Sequence, residues 1–270
     1  MPFNSFRYAP GPNDGASPLP LSSNLLLKQF ADCDRIAVER HAELQTVVVG
    51  TVLFDAGDLL DHVYFPVDPL IALDQPGRIE VAVAGREGMA GWTAIAGFRR
   101  SPYRAVVRCR GGRLLRIPVD LLLAMSTSNP RLGVLLAQYL IITAVQMAEG
   151  LGAHTHHRLE AAIARWLLMR HDRVGGDWIH AQHQEIAESL GARRASVTDC
   201  LHILEGDQHI RGRRGRVLIR SRADLEARAN GAYGAAERLY RASLGRFGKS
   251  ADASNLELEI EIGSARRSRA

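Results

Sequence analysis

Between Val47 and Ile117 the chain reads as short apolar runs, "VVVGTVLFDAGD", "HVYFPVDPLIAL", "RIEVAVAGREGMAGW" and "YRAVVRCRGGRLLRI", rich in Val and Ile and partly alternating with polar residues. Runs of this composition spaced at roughly ten to fifteen residues predict short antiparallel strands. Gly50, Gly57, Gly77, Gly85 and the pair Gly111-Gly112 supply the turns between them. The expected architecture is a jelly-roll-like antiparallel β-roll. A first helix, from about Ser23 to Arg40, precedes it.

After Pro118 the pattern changes period. "VDLLLAMSTSN" predicts a short helix, and Asn129-Pro130 reads as a stop followed by a helix start. From Pro130 to about His154, Leu132, Leu135, Leu136, Tyr139, Ile142, Val145 and Met147 recur at three- and four-residue steps. An apolar face of that length needs a partner. The roll can cover part of it; the remainder predicts a seam with the same helix of a second subunit, the alternative being packing within its own domain. Leu132 to Ala148 is uncharged but shorter than the roughly 20 residues a membrane span needs, and it carries Gln138 and Gln146. No membrane role is expected.

"HRLEAAIARWLLMRHD" follows as a helix in which Leu159, Ile163, Trp166, Leu167 and Met169 or Arg170 alternate between core and surface, closed by Val174-Gly175-Gly176. In "HQEIAESLGARRASVTDCLHILE", Ile186, Leu190, Val197, Leu201 and Leu204 fall on the inward positions of two helices; Ala187 permits a close crossing and Gly191 occupies the turn. That is helix-turn-helix spacing. The second helix opens with Arg193 and Arg194 and keeps Ser196, Thr198, Asp199 and His202 off its buried face, where a recognition helix meets base edges. "HIRGRRGRVLIR" then reads as a β-hairpin tipped by Arg213, Arg214 and Gly215, with Arg216 beside the tip. Such a wing can reach phosphates, which contribute affinity without sequence preference.

Charge sharpens this picture. The net charge is +5, and the excess lies in the second part: 14 Lys+Arg against 14 Asp+Glu up to Ala153, 20 against 15 from His154 onward. Arg193 to Arg222 holds eight arginines facing only Asp199, Glu205 and Asp207. A local basic excess favours a polyanionic partner. Cys33, Cys109 and Cys200 are odd in number and far apart, which suits a reducing cytoplasm. The opening residues, rich in Pro, Gly and Asn, carry no export pattern and read as a loose leader.

On "VYFPVD" and "VAVAGREGMAG" in the roll, and on "RLEAAIARWLLMRHDR" and "QEIAESLGARRASVTDCLHILEGDQHIR" beyond it, the chain resembles the Crp/Fnr family of bacterial transcription regulators from about Leu21 to Ala229. The resemblance implies a cyclic-nucleotide-binding-like sensor roll, a homodimer made by the long helix, and recognition helices that read a two-fold operator. It places Arg194, Ala195 and Asp199 at base-contacting positions and Arg193 and Ser196 at phosphate-contacting ones. Ala195 stands where the best-known branch has an acidic residue and Asp199 where it has an arginine, so a different target site is implied. In the effector region Arg104 could replace the family's phosphate-pairing arginine, but Ala105 follows it, and Trp92 after Gly91 takes the place of the ribose-holding glutamate. Gly91, Trp92, Arg104 and Ala105 thus mark a degenerate or altered effector site, and no cyclic nucleotide is expected.

No other cofactor is expected. The family's iron-sulfur sensors need four cysteines, several near the N-terminus. His154, His156 and His157 lack a local carboxylate or cysteine and read as a solvated hinge, and His180 and His183 read as phosphate neighbours or plain surface. A roll-fold metal enzyme would need a closely spaced histidine pair in the strands, whereas the roll has only His41 and His62. The expectation is therefore an α+β chain: leader 1–20, sensor roll 21–129, dimerisation helix 130–153, winged helix-turn-helix 154–228 and extension 229–270. Its expected function is a cytoplasmic, non-enzymatic, homodimeric regulator that binds double-stranded DNA and contacts RNA polymerase. The competing readings are a nucleic-acid accessory protein without site preference and the metal enzyme.

Overall fold

The computed structural model describes residues 19–249, apart from 78, 157 and 158. Helix α1 (Asp32–His41) leads into seven strands: β1 (Glu43–Val47), β2 (Val52–Phe54), β3 (His62–Pro66), β4 (Leu70–Asp74), β5 (Glu80–Ala84), β6 (Arg104–Arg108) and β7 (Gly112–Pro118). They form two antiparallel sheets, ordered β1-β7-β3 and β2-β6-β4-β5. Phe65, Ile71, Leu73, Leu115 and Ile117 are buried in the core of this roll. The α+β class and the roll agree with the apolar pattern.

Two boundaries in this region differ from expectation. The single helix read over Ser23–Arg40 is two 3-10 turns, Leu21–Ser23 and Leu27–Gln29, followed by α1. The buried side chain of Asn24 breaks it. Its Oδ1 accepts from the Leu26 and Leu27 N–H groups at 3.1 and 3.0 Å, and its Nδ2 donates to Pro66 O and Gly88 O at 2.9 Å, so residue 24 stays extended. The first strand starts at Glu43, ahead of the valine run, because Val48 to Thr51 close a turn through a 3.1 Å bond from Thr51 N to Val48 O.

Helix α2 (Val119–Ser128) and helix α3 (Pro130–His156) meet at Asn129-Pro130. α3 runs past residue 153, so the expected start of the winged domain at 154 falls inside the helix; the side chains of His154 and His156, like His157, lie outside the described ones. Pro130–Leu151 is long and apolar enough to cross a membrane by length and hydropathy alone, but one face is built into the protein. Leu132, Leu136, Tyr139 and Ile142 join the roll core. Gln146, an odd residue for such a face, accepts from Val83 N–H at 2.8 Å, and Tyr139 OH bridges the N–H and C=O of Met89.

Helix α4 (Leu159–His171) departs most from the expected alternation of core and surface. Every residue from Ala161 to His171 except Arg165 is buried, Arg170 and His171 included. Its one side packs on the winged domain through Ile163 and Leu167, while Met169 and Arg170 face the roll. Arg170 donates to both oxygens of Glu80 at 3.0 and 2.6 Å, and its guanidinium carbon lies 3.4 Å from the Trp166 ring centroid. Burial alone would draw Arg170 down; Glu80, Cys109 and Glu185 outweigh it and hold the group above the ordinary arginine value. Burial pushes the neighbouring Cys109 thiol up to about 12. A second buried pair, Arg173 to Glu87 at 2.8 Å, joins the same two parts of the chain.

The winged part contains β8 (Trp178–His180), α5 (His183–Leu190), α6 (Arg194–Gly206), β9 (Ile210–Arg213), β10 (Arg216–Ile219) and α7 (Arg222–Arg228). β8 was not anticipated; it pairs antiparallel with β10, giving a sheet ordered β8-β10-β9. Within the expected extension 229–270, the residues up to Lys249 are built into the protein. Helix α8 (Ala235–Leu244) returns to α3, burying Ala236, Tyr240 and Leu244 in the roll core, and Glu149 of α3 accepts from the Ala235 N–H at 2.7 Å, placing a carboxylate at the α8 N-terminus. Tyr240 donates to Glu87 O at 2.8 Å, and the Phe247 ring packs 5.0 Å from that of Tyr240. The alternating stretch "NLELEIEI" lies outside the described residues, as does the leader up to residue 18.

Candidate nucleic-acid interface

α5 and α6 are joined at Gly191, whose φ of +61° ends α5 in the left-handed conformation that glycine adopts at no steric cost. Ile186, Val197, Leu201 and Leu204 are fully or nearly fully buried and Leu190 partly so, which fixes the rotation of both helices about their axes. Arg194, Ala195, Asp199 and His202 are consequently exposed, with Ser196 and Thr198 half-buried at the edge of that face. Arg193 is the N-cap residue of α6 and lends it no side-chain hydrogen bond, so the first-turn N–H groups of α6 are not capped by that side chain.

The wing is a two-residue hairpin. Arg213 pairs with Arg216, and the turn residues Arg214 and Gly215 both have positive φ, +42° and +75°. That is the turn whose twist suits a hairpin, and the one that lets Arg213, Arg214 and Arg216 project at an exposed tip. Glu205 holds the wing to the recognition helix by accepting from Gly212 N–H at 2.9 Å. A cleft of about 210 Å³ lies between them, lined among others by His183, His202, Arg213 and Arg216.

Not every arginine in this stretch serves the surface. Arg222 is engaged inward by Asp172 and Glu226, both at 2.8 Å, and by Tyr233 at 2.6 Å, and Arg220 bonds Gln208. Arg193, Arg194, Arg211, Arg213, Arg214 and Arg216 are exposed and form no salt bridge among the described residues. Arg211 was missed by sequence reasoning; on β9 it stands opposite Leu218, which strand register alone reveals. His183, read from sequence as a phosphate neighbour or plain surface, has its Nδ1 2.8 Å from Thr198 Oγ1, bridging α5 to the recognition helix.

The four residues read as an effector site lie apart from this surface. Gly91 begins a 3-10 turn, Trp92–Ala94; the Trp92 ring packs 6.3 Å from Tyr103, Ala105 is fully buried in β6, and Arg104 already pairs with Asp55 at 3.3 Å. Among the described residues no group of three or more His, Cys, Asp or Glu side chains is placed to hold a metal ion, and Cys33, Cys109 and Cys200 are unpaired.

Residues 161–228 match the family described as the Crp-like helix-turn-helix domain. No curated protein matches the sequence. In three dimensions the chain is similar to a CRP-family transcriptional regulator of Thermus thermophilus, with 20% identity, coverage of 69% of this chain and 96% of that one, and a TM-score of 0.58. A CRP/FNR-family regulator of the same organism gives 22%, 70%, 98% and 0.57. The c-di-GMP-responsive global regulator CLP of Xanthomonas campestris gives 14%, 71%, 100% and 0.58. The chain therefore has the fold of the CRP/FNR transcriptional regulators, and its residues 161–228 form a Crp-like helix-turn-helix domain.

Proposed function

We propose that this protein is a transcription regulator that binds a two-fold DNA site as a homodimer, inserting α6 of each subunit into successive major grooves about 34 Å apart. The observation that carries the reading is the recognition face of α6 set beside an arginine-tipped wing, with six exposed arginines that no carboxylate among the described residues neutralises. Arg194, Ala195 and Asp199 read bases in this scheme, with Thr198 and His202 beside them. Arg193 and Ser196 touch phosphate. Ala195 offers a methyl group to a thymine methyl, and Asp199 accepts from a cytosine amino group. Such a protein acts in the cytoplasm, has no enzymatic activity, and contacts RNA polymerase.

The partner for dimerisation is the outer stripe of α3, Val134, Ala137, Ile141, Ala144 and Ala148, spaced by three and four and lying on the side of the helix away from the roll core. The roll is read as carrying no cyclic-nucleotide site, since Arg104 is engaged by Asp55 and an indole follows Gly91 where a ribose-binding carboxylate would be needed.

Selection of bound sequences from a random duplex pool tests the proposal. A regulator should enrich a palindrome and hold it at least about a thousandfold more tightly than random duplex at the same salt concentration; equal affinity for both would leave the accessory-protein reading. Arg194→Ala should cost about 1 to 3 kcal/mol on the selected site and relax one base position, whereas uniform weakening on every sequence would make Arg194 a phosphate contact. Replacing Arg213 and Arg214 together by alanine should weaken binding on all sequences and lower the slope of log affinity against log salt by about 2. An unchanged slope would remove the wing from the interface.

A further inference from the structure

His183 stands in an unusual place for a titratable side chain. It opens α5, is half-buried, and lines the cleft between the recognition helix and the wing. Its Nδ1 is 2.8 Å from Thr198 Oγ1, and Thr198 Oγ1 is in turn 3.0 Å from Arg194 O, one helical turn back. A hydroxyl has a single hydrogen to give. With that hydrogen on the Arg194 carbonyl, as helical threonines commonly arrange it, Nδ1 of His183 is the donor and Nε2 is the atom open to a proton. The chain from His183 through Thr198 to the α6 backbone then remains fully satisfied when the ring becomes an imidazolium, so taking up a proton requires no rearrangement.

The charges around the ring decide when it is protonated. From α6 it faces Arg194 and His202, and across the cleft the wing adds Arg213, Arg214 and Arg216. The cleft's one carboxylate, Glu205, is bonded to the wing backbone at Gly212. His180 of β8 and Glu185 of α5 lie 3.8 Å apart and face each other. In the free protein, burial first and then Arg194 and His202 hold His183 below the ordinary histidine value. A phosphodiester brought into the cleft reverses the sign of the local field.

We propose, resting on the DNA-binding reading above, that this cleft seats a phosphate of the DNA backbone and that His183 takes up a proton from solvent as the DNA arrives, so that DNA affinity is linked to pH. The sign follows from the direction of the change. Below the pKa of the free protein the ring is charged both free and bound, and the extra affinity is fully present. As pH rises from there the affinity falls, by up to about tenfold per unit, until the pKa of the complex is passed and the ring is neutral in both states. The window opens below 6.5, because the free ring is depressed, and closes at the higher value of the complex.

A backbone contact is insensitive to base sequence, so a random-sequence duplex at low salt serves as probe. Its affinity, measured from about pH 5.5 to about pH 8, should fall with rising pH for the unaltered protein and for His41→Gln, whose site is exposed on α1 and does not line the cleft. For His183→Gln, which keeps a neutral donor toward Thr198, the fall should shrink by about tenfold while affinity at the alkaline end is retained. Calorimetry in buffers of different ionisation heat should register close to one proton taken up per subunit, lost in His183→Gln, a readout that a purely structural role for His183 would not move. A full pH profile in His183→Gln, or pH-independent binding by the unaltered protein, overturns the proton link and leaves DNA binding standing. Failure to bind any duplex at any pH overturns both.

Discussion

Replacing Ile141 with glutamate should leave the protomer folded, abolish its self-association, and lower affinity for a two-fold DNA site by roughly a thousandfold, the order expected when two linked contacts become one. The inner face of α3 is fully used, since the roll and α8 bury Leu136, Tyr139 and Ile142. The outer stripe is not: Val134 and Ile141 are each 59% exposed, and the positions that continue the stripe, 137, 144 and 148, are alanines. Alanine between larger aliphatics lets two copies of the helix approach closely, with Val134 and Ile141 as the knobs. A glutamate at position 141 points into water in the protomer at little cost, but in a paired helix it meets its symmetry mate in an apolar seam, where neither charge has a partner. Sedimentation and DNA binding measured on the same samples check the prediction, with Ile141→Leu as the control that should remain dimeric. An Ile141→Glu protein that still sediments as a dimer would place the subunit contact elsewhere.

The roll, the long helix and the helix-turn-helix were legible because each follows from local chemistry: glycine-punctuated β-branched runs, a three-and-four apolar period, and paired short helices around Gly191. What stayed hidden depended on contacts between distant residues. β8 is three residues long, Trp178–His180, too short to show a period, and exists because β10 pairs with it. The free arginines could be separated from structural ones only once Asp172 and Glu226 were seen to hold Arg222. α8 did leave a trace, Ala236, Tyr240 and Leu244 at intervals of four, each of them buried. That signal was available and pointed to a packed helix beyond the winged domain. The sequence left His183 open between phosphate neighbour and plain surface, since its link to Thr198 crosses a helix-helix turn whose geometry sets the distance.

Arg170 is the sharpest case of a residue whose role is invisible without the fold, and its replacement carries the largest expected effect on stability. In "WLLMRHD" the helical period does not decide between Met169 and Arg170 as the inward residue, yet Arg170 is 0% exposed and meets Glu80, ninety positions earlier, through two hydrogen bonds. Arg170→Met should destabilise the protein by about 3 to 5 kcal/mol, because methionine fills much of the space over Trp166 but leaves the Glu80 carboxylate buried without its cation. Most of that cost belongs to the stranded charge, not to the attraction that was lost. Adding Glu80→Leu to Arg170→Met should therefore restore a large part of the stability, since an apolar pair of similar volume has no ion to desolvate. Urea unfolding of the single and double variants separates the two terms. A single variant that loses less than about 1 kcal/mol would mean that water reaches Glu80 at the junction of roll and winged domain. The junction would then be a wet hinge, and the roll could not hold α4, and with it the recognition helix, in a fixed orientation.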